Sequence, residues 1–152
     1  MEPRVAIVVL NWNGWKDTIE CLESIYRADY RNFNVILVDN GSEDDSIVEI
    51  RKFCEGKSKV NSKLFEFPSD REPIKVFEFT REESEAFAAE KNESVHVQEA
   101  RTLLVIKNEK NFGFAEGNNI GIRFATVAVM PDYFLLLNND TVVDPSFLTA
   151  LV

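Results

Sequence analysis

Val5-Ala6-Ile7-Val8-Val9-Leu10, followed at once by Asn11-Trp12-Asn13-Gly14, decides the fold. Six apolar residues in a row, four of them β-branched, suit a strand buried on both faces better than one with a wet side. The polar tetrad breaks the run and a helical pattern follows. Ile19, Leu22, Ile25 and Tyr26 fall on one side of it, and Lys16, Asp17, Glu20 and Glu23 on the other. A buried strand feeding an amphipathic helix is the first half of a βαβ unit.

The same alternation continues outward. Asn34–Val38 is a second buried strand, closed by Asp39-Asn40-Gly41-Ser42. Ser42 with Asp45 resembles a capping box for a helix whose buried stripe is Ile47, Ile50 and Phe53. Thr102–Ile106 is a further strand, followed by a Gly- and Asn-rich stretch from Asn108 to Asn119 and a helix around Ile120–Val127. Tyr133–Leu137 is predicted to be another buried strand, ending at Asn138-Asn139-Asp140-Thr141. Asp144-Pro145 then opens a last helix, with Asp as N-cap and Pro in its first turn. The expected class is α/β, a mostly parallel sheet flanked by helices.

The stretch from about Gly56 to Ala100 reads as an insertion. Lys75–Phe79 alternates like a half-exposed strand, and Arg81–Glu90 reads as an acidic helix. Between Glu66 and Ala100 ten Asp or Glu face four Lys or Arg. A solvated, variable segment is the plain reading; an acidic docking surface is the sharper one.

The whole chain has 152 residues and a net charge of −9, with 45% hydrophobic and 28% charged residues. That is a one-domain globular composition. The negative balance argues against nucleic-acid binding and against electrostatic adhesion to anionic lipid. A diphosphate can still bind an acidic protein when a divalent cation stands between them. No apolar run approaches a bilayer span and no signal-peptide pattern opens the chain, so the default compartment is cytoplasmic. Cys21 and Cys54 each fall within a predicted helix and read as small buried hydrophobes. His96, the single histidine, lies in the acidic segment, so Ser-His-Asp chemistry and histidine-based metal sites have nothing to work with.

In an open parallel sheet, ligands bind beyond the carboxyl ends of the strands. Three predicted strand ends carry polar clusters: Asn11-Trp12-Asn13-Gly14, Asp39-Asn40-Gly41-Ser42 and Asn138-Asn139-Asp140. Asp39 either accepts hydrogen bonds from a ligand or only stabilises its turn. Asp140 either binds a hard cation, through which one carboxylate can hold phosphate oxygens, or makes an Asx turn. The site reading requires that both carboxylates open into one shared cleft. Trp12 and Trp15 either pack under the first turn or lie against a sugar or base. Asn111-Phe112-Gly113-Phe114-Ala115-Glu116-Gly117-Asn118-Asn119 has glycines where a backbone could approach a ligand, but matches neither the dinucleotide fingerprint nor a P-loop.

Four segments in this order, VAIVVLNWNGWKDTIECLESI, VILVDNGSEDDS, NFGFAEGNNIGI and YFLLLNNDTVVDP, resemble the family 2 glycosyltransferases, particularly the branch similar to rhamnosyltransferases. The resemblance covers roughly Val5–Ser46 and Leu103–Leu148. It implies a GT-A fold spanning 1–152, a UDP- or dTDP-sugar donor, and a glycan or lipid-linked acceptor of polysaccharide synthesis, at the inner face of the membrane. On that pattern Asp39 reads the base, and Asn11, Trp12 and Asn13 line the nucleotide pocket. Asn111, Gly113, Gly117 and Asn118 match the segment that passes close to the nucleotide. Asn138-Asn139-Asp140 stands where the family has Asp-x-Asp. Asp140 would then ligate Mg²⁺ or Mn²⁺, with Asn138 as a weaker hydrogen-bonding partner. The family's reaction is a single inverting displacement whose base lies in the second, acceptor-binding half, expected beyond Val152.

Two other readings share this architecture. A sugar-nucleotide pyrophosphorylase would carry a Gly-rich, basic loop after the first strand, where this chain has Asn11-Trp12-Asn13-Gly14 with only Lys16 nearby. A non-catalytic interaction module would use the acidic segment as its contact surface.

Overall fold

The computed structural model describes residues 1–58, 62–66, 70–90 and 101–152. Its elements are β1 (Val5–Asn11), α1 (Trp15–Tyr26), β2 (Phe33–Asp39), α2 (Ser46–Cys54), β3 (Lys75–Thr80), α3 (Arg81–Glu90), β4 (Thr102–Lys107), α4 (Phe114–Ala128), β5 (Tyr133–Asn138) and α5 (Phe147–Leu151). The strands form one sheet in the order β3-β4-β2-β1-β5, and every pairing is parallel.

Strand periodicity sorts the core into two layers. Val5, Ile7 and Val9 point to the face that α1 and α2 cover, where Ile19, Leu22, Ile25, Ile50 and Phe53 are buried. Ala6 and Val8 point to the other face and meet Ile120, Phe124 and Ala125 of α4. Two helical glycines let α4 lie close to the sheet. A Cβ at Gly117 would come within 2.6 Å of Leu10 Cδ1, and one at Gly121 within 2.7 Å of Val8 Cγ1. Cys21 and Cys54 are free and buried, as their helical positions suggested.

Several local expectations are corrected. β5 is not a buried strand. Among the described residues it pairs only with β1, and as an edge it leaves Tyr133, Phe134 and Leu136 at 55%, 40% and 47% exposure. Residues 75–90 are no appendage, since β3 is the opposite edge of the main sheet and α3 packs with α4. His96 and the rest of 91–100 lie outside the described residues. α4 starts at Phe114, six residues before the predicted Ile120, so Gly117 sits inside a helix and not in a loop.

Three polar positions also differ. Ser42 does not cap α2, which starts at Ser46; its hydroxyl donates to Asp39 instead, and Asp44 Oδ1 accepts from Ser46 N. Asp144 does not cap α5 directly. It accepts from the N–H and hydroxyl of Ser146, and the helix begins at Phe147. Glu23 does not face water but is buried against Arg71, at 2.8 Å. The Arg71 guanidinium also donates to Phe53 O and lies 3.9 Å above the Phe53 ring, which offsets part of the cost of burying its charge, while its Nε is left without a hydrogen-bond partner. Among the described residues no helix is long and apolar enough to cross a membrane.

Candidate functional site

Register brings the three polar strand ends together. β1 lies between β2 and β5, with Asn11 opposite Asp39 and Leu10 opposite Asn138. β4 joins on the far side of β2, with Lys107 opposite Asp39, so the loop 108–113 rises from the same edge. The chain leaves β1 in one direction toward β2 and reaches β5 in the other. β1 and β5 therefore flank the switch point, where an open α/β sheet leaves a crevice.

A cleft of about 390 Å³ opens there. Its walls are Leu10 and Trp12 from the β1 end, Leu136–Asp140 from the β5 end, and Phe114 and Asn118 from the start of α4. Trp12 and Phe114 are exposed at 56% and 63%, two aromatic faces on the rim. Asp140 is exposed beside them, as is Asn138. A concave apolar site with a few polar groups is the usual form of a small-molecule pocket.

Asp39 stands at the same edge but does not open into this cleft. It is only 3% exposed, because β2 is an inner strand and neighbouring side chains close over its tip. Asn11 Nδ2 and Ser42 Oγ donate to its Oδ2 at 2.8 and 2.7 Å, and Ser42 N donates to Oδ1 at 3.0 Å. A carboxylate has about four acceptor positions, and three are thereby occupied. The expected shared opening is not found: Asp140 lines the cleft and Asp39 is closed off from it, so a site here has Asp140 as its one open carboxylate among these two.

The neighbouring asparagines are scaffold as much as surface. Asn11 is wholly buried; its Oδ1 accepts from the Thr18 hydroxyl at 2.7 Å. Thr18 Oγ1 in turn accepts from Asn139 Nδ2 at 3.0 Å. Asn13 holds the β2–α2 loop, accepting from Glu43 N at 2.8 Å and donating its own N–H to Ser42 Oγ at 2.9 Å. Asn40 is buried and clamps the loop 108–113. Its Oδ1 accepts from Asn108 Nδ2 and Phe112 N, and its Nδ2 donates to Asn111 Oδ1 and Gly113 O. Gly41, at φ +75°, allows that closeness, since a Cβ there would stand 2.5 Å from the Lys110 carbonyl carbon. From the other side Arg81 of α3 grips Glu109 at 2.7 Å and lies 5.0 Å over Phe112.

Of the other predicted site residues, Gly113 opens α4 at φ +83° with nothing near its missing Cβ. Asn118 lines the cleft and donates to Phe114 O. Gly117 is buried against Leu10, where its smallness serves packing. Trp15 packs against the α1 core while Trp12 faces the cleft. Thr18, Asn40, Phe114 and Asn139 were not singled out from sequence. Thr18 carried a signal, a hydroxyl at helical spacing with the buried Leu22 and Ile25.

Beneath the β5 turn lies Cys21, its Sγ 3.7 Å from Asn138 O and 3.9 Å from Thr141 Oγ1. Burial pushes its thiol up to about 11, against the opposing hydrogen bond of Thr141. Among the described residues no three His, Cys, Asp or Glu side chains gather. Asp140 with the Asn138 amide offers hard oxygen donors, and one carboxylate with phosphate oxygens and waters suffices for Mg²⁺. The donor set fits a divalent ion held jointly with a phosphate.

The comparisons agree with this architecture. Residues 6–76 match the model of Glycosyl transferase family 2. Glycosyltransferase GlyG of Streptococcus pneumoniae serotype 4 is 41% identical over 46 residues, 30% of this chain and 15% of that protein. Mannosyltransferase PcManGT from Pyrobaculum calidifontis, solved with GDP-Man and Mn²⁺, superposes over 97% of this chain and 31% of its own, with TM-score 0.61 and 18% identity. S. aureus TarS, solved with UDP-GlcNAc, superposes over 97% of this chain and 30% of its own, with TM-score 0.57 and 16% identity. The chain thus spans about a third of the length of these solved relatives. The expected GT-A fold and the family 2 glycosyltransferase likeness are both met.

Proposed function

We propose that this chain, whose residues 6–76 match family 2 glycosyltransferases, holds the donor in a sugar transfer. The donor is a nucleoside diphosphate sugar bound in the cleft between β1 and β5, with Mg²⁺ or Mn²⁺. The sugar passes with inversion to a hydroxyl of a glycan or lipid-linked acceptor, in the cytoplasm or at the inner face of a membrane. The observation that carries the reading is Asp140, exposed at the switch-point cleft beside Trp12 and Phe114.

Each group has a defined task. Asp140 and Asn138 would hold the metal, which when bound neutralises the charge developing on the leaving diphosphate. The N-terminus of α4 has no side-chain cap, so its free N–H groups favour phosphate oxygens. Trp12 and Phe114 present ring faces for a base or sugar to stack on. Asn11, Asn13 and Asn40 keep the surrounding loops in place. Asp39, closed over by Asn11 and Ser42, would order the β1 and β2 ends of the site; a base N–H or ribose hydroxyl would reach its remaining Oδ1 position only with Ser42 moved aside. Asn111, Gly113 and Asn118 form the nucleotide-side wall, with Gly117 supporting it from within α4.

Thermal unfolding with UDP, dTDP or GDP, each with and without Mg²⁺ or Mn²⁺, tests the reading. One nucleotide should stabilise the chain only with metal, by about 2.7 kcal/mol at a hundredfold excess over Kd. Asp140→Ala should abolish that gain. No shift with any nucleotide at millimolar concentration would overturn the proposal.

A further inference from the structure

We infer that Thr18 and Asn139 are positioning residues of the donor site, the middle links of a buried hydrogen-bond chain from Asp39 to the turn that carries Asp140. The inference rests on the donor-site reading and adds to it Thr18, which does not face the ligand, and Asn139, which lines the cleft but turns its amide nitrogen to Thr18.

The chain of bonds has one sense. Asn139 Nδ2 donates to Thr18 Oγ1 at 3.0 Å, Thr18 Oγ1 donates to Asn11 Oδ1 at 2.7 Å, and Asn11 Nδ2 donates to Asp39 Oδ2 at 2.8 Å. Asp39 accepts only, so Asn11 must turn its amide toward it and its carbonyl toward Thr18. The Thr18 proton is thereby committed to Asn11, which leaves the hydroxyl oxygen to accept from Asn139. Thr18 and Asn11 are both completely buried, so a lost link cannot be replaced by water without reorganisation.

Geometry gives the link its importance. The β5 ladder stops at Leu10 opposite Asn138, so Asn139 and Asp140 have no sheet partner. Asn139 is half-buried, and its side chain ties the turn to α1. Gly14 leaves it room: a Cβ there would stand a tight 3.0 Å from Asn139 Nδ2. A buried threonine beside Cys21, Leu22 and Ile25 is costly unless bonded, and these two bonds satisfy it. With the chain intact, Asp140 projects from a turn pinned to the same strut that orders Asp39.

The test compares the 152-residue chain with Thr18→Val, Thr18→Ser and Asn139→Ala, titrating UDP and GDP at several Mn²⁺ concentrations, well below each protein's unfolding temperature. Valine keeps the volume of Thr18 and removes both bonds; serine keeps the bonds. Thr18→Val and Asn139→Ala should weaken Mn²⁺-dependent nucleotide binding about tenfold and raise the Mn²⁺ needed for half-saturation, while Thr18→Ser stays within about twofold of the parent. A merely structural threonine would lower the unfolding temperature and leave the Mn²⁺ requirement of the folded protein unchanged. That result, with the parent chain binding nucleotide, overturns this inference alone. A parent chain that binds neither nucleotide with Mn²⁺ overturns the donor-site reading and this inference with it.

Discussion

Asn11 and Asp39 face each other across β1 and β2, and the Asn11 amide donates to the Asp39 carboxylate at 2.8 Å. With Ser42 supplying two further donors, Asp39 is a structural acceptor before any ligand arrives. Asp39→Asn should therefore cost about 1–3 kcal/mol of stability without nucleotide, since in either orientation the new amide nitrogen would face a donor, the Asn11 amide or the Ser42 N–H. Urea unfolding measures it. An unchanged midpoint would mean that the carboxylate is spare in the free protein.

Gly41 tests the loop it supports. Alanine there meets both an unfavourable φ and the Lys110 backbone, so Gly41→Ala should destabilise by roughly 2 kcal/mol or more. Amide hydrogen exchange across residues 108–113 should quicken in the variant while β1 and β2 stay protected. Equal exchange in both proteins would contradict the clamp.

Glu78 gives the fold a pH signature away from the site. Its carboxylate accepts from Arg51 at 2.7 Å and from Lys107 at 3.0 Å, joining β3 to α2 and β4. Arg51 chiefly, then Lys107, hold its pKa down from 4.5 to about 2, against the opposing effect of partial burial. A lowered carboxylate pKa stabilises the fold above the unfolded value, and that stability is lost as pH falls through the folded one. The stability gap between parent and Glu78→Gln should be constant above about pH 4.5 and shrink toward about pH 2. Denaturation at a series of pH values checks this.

Burial raises the Cys21 thiol to about 11 and the Cys54 thiol to about 12. Thiolate is the reactive form, so neither should react with a disulfide reagent at about pH 8 while the chain is folded. Both should react once urea unfolds it. Rapid labelling of folded protein would show that one of the two helices opens readily.

The free edge of β5 carries a prediction about association. An apolar edge strand without charges or proline invites pairing with another chain. Phe134→Lys should lower concentration-dependent self-association, seen by light scattering, and change stability by less than about 0.5 kcal/mol. Undiminished association would place the sticky surface elsewhere.

Much of this molecule was legible in its sequence because stretches such as Val5–Leu10 and Leu103–Ile106 are uniformly apolar, and their parallel order puts Asn11, Asp39 and Asn138 on one rim. Exposure was not legible. Tyr133–Leu137 is as apolar as β1, yet its place at the edge comes from strand order, which no local pattern encodes. The burial of Asp39 likewise depends on Asn11 and Ser42 closing over it from β1 and the β2–α2 loop. Ser42 looked like a cap because serine spacing is all a sequence displays; its hydroxyl found a better acceptor in Asp39. Glu23 looked exposed because its partner Arg71 lies 48 residues away.

β1 leaves the ribosome well before β5, the neighbour that covers its second flank in the sheet. Between them lie more than a hundred residues, and Arg4 N meets Asp132 across a separation of 128. A nascent chain lacking β5 would present one flank of the apolar strand β1 until residues 133–138 are made. Such long-range closure slows folding and exposes the intermediate to aggregation. Chaperone dependence during translation should thus fall only once residues 133–138 have emerged.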